Sequence, residues 1–121
     1  MQGFAKGGDF MYWSFTDSLV KTTLAGTVKC QCEMRDGHLG DCDYYNGKIY
    51  APVEGGDEVY ACIVVFDAET LNATGEVYDL PNELDEDGVP WCAVDKETGY
   101  LYASKWSNAE KIFVYDIRIR K

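Results

Sequence analysis

The chain has 121 residues, 46% of them apolar and 14% aromatic, with a formal net charge of −10. That length suits one domain with a real core, below the size at which chains split, and the apolar content excludes a disordered chain. The acidity excludes nucleic acid and anionic membrane surfaces, both of which need a basic face; it leaves solubility, or attraction for cations or a basic partner.

Tyr, Phe, Trp, Val and Ile favour a pleated, half-buried surface, and glycine recurs at turn-like places, so the expected fold class is all-β. The opening MQGFAKGGDF has no basic segment leading into an apolar one, so no signal peptide is expected. No apolar run approaches the ~18 residues of a membrane-spanning helix.

In chain order, a first unit of four short strands is predicted at Gly3–Lys6, Phe10–Phe15, Leu19–Leu24 and Thr27–Glu33. Turns at Gly7-Gly8-Asp9, Asp17-Ser18 and Ala25-Gly26 join them into an antiparallel meander. Residues 34–40 (MRDGHLG) read as a polar crossing. A second unit repeats the order with strands at Asp41–Tyr45, Lys48–Val53, Tyr60–Asp67 and Gly75–Leu80. Its first turn, Asn46-Gly47, is the strongest local hairpin signal in the chain, because a type I′ turn needs positive φ at both central residues. Residues 81–90 (PNELDEDGVP) form an acidic connection bounded by prolines. A third unit has strands at Trp91–Val94, Tyr100–Ser104 and Lys111–Ile117, with Asp95–Gly99 (DKETG) as its hairpin loop.

The units align. Met11-Tyr12, Ile49-Tyr50 and Leu101-Tyr102 follow a glycine-bearing turn in each, and Ser14, Pro52 and Ser104 come two positions after the tyrosine. Ile63–Asp67 matches Ile112–Asp116 nearly residue for residue. Four strands recurring every ~40–50 residues is the spacing of β-propeller blades. The stretches QGFAKGGDFMYWS, GDCDYYNGKIYAPVE and VPWCAVDKETGYLYASKW…IFVYDI resemble bacterial propeller repeats of the glutamine-cyclotransferase-like, gluconolactonase-like and NHL-type groups. The resemblance implies two full blades and a third short of its last strand. An open stack leaves two apolar faces and one strand edge uncovered. A symmetric homodimer of about six blades is the expected remedy, ahead of a borrowed strand or a longer parent chain.

In such a fold the first strand of each blade lines a central channel, and loops at one mouth bind ligands. The inner-strand candidates are Gly3–Ala5, Asp41–Asp43 and Trp91–Ala93. His38, Asp41 and Asp43, from HLGDCD, could hold a divalent cation, with Ca²⁺ the candidate and Asp41 and Asp43 its ligands. They could equally pair as base and orienting acid, or the two aspartates could simply cap turns. Trp13, Trp91 and Trp106 could make an aromatic wall for a cyclic ligand, or pack between blades. Glu54, Asp57 and Glu58, and Glu83, Asp85, Glu86 and Asp87, form two acidic loops that match no EF-hand pattern.

Five cysteines is an odd number, which favours free thiols and a reducing, cytoplasmic compartment. Cys42, Cys62 and Cys92 stand where a strand wants Val or Ile, so burial as inert hydrophobes is expected, although Cys42 lies near His38 in sequence. Cys30-Gln31-Cys32 is not a zinc-type pair, but on a strand its two side chains share a face. No nucleophile elbow, phosphate-binding loop, dinucleotide fingerprint or zinc-protease motif is present. A non-enzymatic ligand- or protein-binding scaffold is therefore the leading expectation. The alternative implied by the resemblance is a lactonase-like hydrolase or cyclotransferase with its channel site at His38, Asp41 and Asp43.

Overall fold

A computed structural model describes residues 1–55, 61–81, 84 and 88–118. Twelve strands are named, β1(Gly3–Gly7), β2(Phe10–Ser14), β3(Ser18–Thr23), β4(Val28–Glu33), β5(His38–Leu39), β6(Asp43–Tyr45), β7(Lys48–Glu54), β8(Cys62–Asp67), β9(Ala73–Asp79), β10(Trp91–Val94), β11(Tyr100–Ser104) and β12(Phe113–Asp116). They form three sheets: β1-β2-β3-β4, β5-β7-β8-β9 with β6 also on β7, and β10-β11-β12. Every named pairing is antiparallel. The fold is all-β, and among the described residues no helix is long and apolar enough to cross a membrane.

The middle sheet is buried on both faces. Ile49, Ala51, Val53, Cys62 and Phe66 pack toward the first sheet with Ala5, Tyr12 and Leu19. Tyr50, Ile63 and Val65 pack the other way, with Cys92, Val94, Leu101 and Ala103 of the third sheet. A strand covered on both sides reads as a continuous apolar run, which is why KIYAPVE and CIVVFD lack the alternation seen in β4. Each fully buried Ile, Val or Phe contributes roughly 1.5–3 kcal/mol.

The Asn46-Gly47 turn has the positive φ values a type I′ hairpin requires, 54° and 82°. The three aligned tyrosines occupy one register position: Tyr12 pairs Ala5, Tyr50 pairs Asp43 and Tyr102 pairs Ala93. Gly3, opposite Ser14, and Trp91, opposite Ser104, likewise hold the same place.

Some strand bounds tighten, β6 starting at Asp43 rather than Asp41 and β12 at Phe113 rather than Lys111, and two expectations change more. Residues 34–40 are not all crossing: His38 and Leu39 form β5, which pairs with Glu54 and Val53. β7 is seven residues long and β6 only three, so β5 fills the rest of its edge, anchored by Leu39 at 2% exposure. Gly75 does not start the fourth strand of the second unit but lies inside β9 at an irregularity opposite Val65. Its φ of 93° suits such a bulge, and Thr74 Oγ1 donates to the Val65 carbonyl at 3.1 Å. Tyr60 lies outside the described residues.

Candidate functional site

The first strands of the sheets come together, with β6 in contact with both β1 and β10. The chain between β5 and β6 leaves the ladder there and bonds to the third sheet. Asp41 N donates to the Pro90 carbonyl at 2.8 Å, and Cys92 N donates to the Asp41 carbonyl at 3.2 Å, in a parallel bridge with Trp91. Gly40 permits this approach, since a Cβ on it would lie 2.4 Å from the Pro90 oxygen. Trp91 itself is half-buried at the start of β10.

Asp41 and Asp43, two residues apart, meet different surroundings. The Asp41 side chain lies over Gly3, whose Cβ position is 1.7 Å from Oδ1. That oxygen is buried and, among the described residues, has no hydrogen-bond partner. Burial pushes the Asp41 carboxyl above its ordinary value of 3.8, and the Asp43 charge adds to the rise, while the Phe4 amide opposes it. Asp43 is fully engaged: Oδ1 accepts from Tyr44 N at 2.8 Å and pairs with Lys96 Nζ at 2.9 Å, and Oδ2 accepts from Val94 N at 2.7 Å. Lys96 also donates to the Tyr44 carbonyl. Asp43 thus stitches the second sheet to the third.

His38 goes elsewhere. It is exposed and stands directly across the ladder from Glu54, so the two side chains share a face. With Gln2, Thr16, Leu39, Gly40 and Trp106 they line a pocket of about 240 Å³ that includes neither Asp41 nor Asp43. The walls come from all three sheets and their connections. The Glu54 carboxylate organises one side: the Trp106 indole N–H reaches Oε1 at 3.1 Å and Oε2 at 3.2 Å, and Val89 N donates to Oε1 at 3.0 Å. Among the described residues no basic side chain is paired with it. Gln2 Nε2 donates to Thr16 Oγ1 at 3.1 Å on the opposite side.

Of the residues singled out in sequence, His38, Glu54 and Trp106 are therefore brought together, though each belongs to a different sequence feature. Gln2 and Thr16 carry no sequence signal beyond their position at strand ends. Asp57, Glu58, Glu83, Asp85, Glu86 and Asp87 lie outside the described residues. Trp13 belongs to the outer face of the first sheet, where it meets Phe4 with ring centroids 5.5 Å apart.

All five cysteines are free, and Cys42, Cys62 and Cys92 are buried as expected. Burial pushes their thiols up, to about 12 for Cys42 and about 11 for Cys62, and well above the ordinary value for Cys92. A thiol so placed is a poor nucleophile, and Cys42 lines none of the pocket that holds His38. Among the described residues no group of three or more His, Cys, Asp or Glu could hold a metal ion. The chain matches no protein-family model and no curated protein.

Proposed function

We propose that the chain is a non-enzymatic binding module, built on propeller-like blades that a second copy completes into a ring, with its ligand at the His38–Glu54–Trp106 mouth. The observation that carries this reading is the pocket itself, in which a carboxylate without a basic partner among the described residues lies against an indole. A carboxylate held at the N–H edge of an exposed indole, whose ring face stays open, suits a small organic cation, and a net charge of −10 concentrates such ligands near the surface.

Support for the ring comes from what each sheet covers. Tyr12 packs beneath the second sheet and Tyr50 beneath the third, whereas Tyr102, at the same register position, is only half-buried. At the other end of the stack, Met11 occupies the place of the fully buried Ile49, yet it is half-exposed beside Phe4 at 58% exposure. The Tyr102 face of one copy therefore meets the Met11 face of another in the same way that the internal sheets meet. Two such contacts close a two-fold ring of about six blades. Among the described residues β12 is the outer edge of its sheet.

The hydrolase reading has one observation in its favour, the raised carboxyl of Asp41, which suits a general acid. It lacks an assembled partner set, because Asp43 is spent on Val94, Tyr44 and Lys96.

Titration with tetramethylammonium, followed by tryptophan fluorescence, tests the pocket. Saturable quenching that Trp106→Ala removes and Glu54→Gln weakens about tenfold is expected. Quenching that is linear, or unchanged in both variants, would rule out a cation site there.

A further inference from the structure

Cys30-Gln31-Cys32 is used by neither the pocket nor the ring. It lies on β4, the edge strand of the first sheet. Gln31 and Glu33 are exposed while Cys30 and Cys32 are half-buried, so the pleat turns both sulfurs to the face that meets the second sheet. There Cys30, Cys32 and Met34 all pack against the same core cluster.

Across the ladder, Cys30 stands opposite Lys21 and Cys32 opposite Leu19. Lys21 is 7% exposed, with Nζ 4.1 Å from the centroid of the Phe10 ring. That ammonium donates to the Glu69 carbonyl at 3.3 Å, and the Cys30 thiol reaches the same oxygen at 3.9 Å. Among the described residues no carboxylate is paired with Lys21. A buried cation opposite the first of two thiols that share one strand face is a charge arrangement that packing alone does not call for.

We propose that Cys30 and Cys32 bind one soft monovalent metal ion, of the Cu(I) class, with the Met34 thioether as a third donor. Thiolate and thioether ligands select Cu(I), which is satisfied by fewer donors than the four of a structural zinc site. The charge closes: two thiolates and one monovalent ion leave −1, which the Lys21 ammonium balances, whereas a divalent ion would leave a neutral cluster with nothing for that ammonium to balance. Binding displaces the two thiol protons to solvent and moves no electron. The span also favours a metal over a disulfide. Residues two apart on a strand are ~6.6 Å between Cα atoms, at the long limit for a disulfide. Two metal–sulfur bonds of roughly 2.3 Å, the length known for zinc, bridge sulfurs ~4.6 Å apart.

Anaerobic titration of the full chain with Cu(I) against bathocuproine disulfonate is the test. One ion retained per chain is expected, with Cys30→Ser and Cys32→Ser each reducing retention to background at unchanged circular dichroism. Lys21→Met should weaken retention about ten- to a hundredfold. Alkylation of the unmutated protein with iodoacetamide, mapped by mass spectrometry, gives a readout independent of how the variants fold: one equivalent of Cu(I) should protect Cys30 and Cys32 together. Absence of retention, full retention by the doubly substituted chain, or alkylation of Cys30 and Cys32 unaffected by Cu(I) would each overturn the assignment.

Discussion

Asp41 and Asp43 show how much two residues of the same type can differ. Asp43 answers an amide on the third sheet and a lysine, so Asp43→Ala should lower stability by about 1–3 kcal/mol by orphaning the Val94 N–H. Asp41 does the reverse. Its carboxyl is raised by burial, so the folded state holds the proton more tightly than the unfolded state does. Stability from that proton is present at acid pH and is lost as pH rises through the raised value. Asp41→Asn should therefore raise the urea midpoint at about pH 7 and change it little at about pH 3. A fall at neutral pH would mean that the aspartate is structural there. Residue types were legible in sequence: both acids, His38, Glu54 and Trp106 drew notice. Their grouping was not, because Glu54 and Trp106 are 52 positions apart and only the stacking of sheets joins them. Nothing in a linear pattern separates an aspartate whose two oxygens are both engaged from one with a buried oxygen left over.

At the scale of elements, turns with a backbone requirement were the most readable. Asn46-Gly47 is one; the two Asp-x-Glu-Thr loops are another. Asp67 Oδ1 accepts from Glu69 and Thr70 N–H, and Asp95 Oδ1 accepts from Glu97 and Thr98 N–H, in matching fashion. β10 and β11 were read to the residue because both lie between such loops and a sheet covered on one face. β5 was not readable, since two residues carry no periodicity and only the length of β7 creates a place for them. Gly40 marks the same seam, and there the requirement is space rather than φ. Gly40→Ala should cost about 1–3 kcal/mol by forcing Pro90 away from Asp41. A denaturation midpoint equal to that of the parent would show that the seam yields freely.

Across the whole molecule, periodicity was the strongest signal, because a repeated unit must bury the same face each time. Three antiparallel sheets hold their tyrosines at one register position, and the first sheet has the four strands expected of it. The proposed ring makes a statement about mass. Light scattering behind a sizing column should give a discrete dimer, and Tyr102→Glu should yield monomer by placing a charge where a second copy packs. A stable monomer for the parent chain would remove the ring and leave the pocket as the property of one copy.

The joints on either side of the middle sheet are unequal. Among the described residues, the first sheet is joined to it by the Tyr12 hydroxyl on Ala68, the Lys21 ammonium and the Cys30 thiol on Glu69, the Cys42 thiol on Tyr12, the Phe4 amide on the Asp41 carboxyl and one main-chain bond from Leu39 to Thr16. The third is held through the main chain on both sides of Asp41 and by Asp43. Local opening releases the more weakly tied unit first, so the molecule has a direction of unravelling. Under native-state amide exchange, β1–β4 should open as one cooperative unit at a lower free energy than the rest. The amides of Asp41 and Cys92, although one lies outside any named strand, should exchange only with the last core to open.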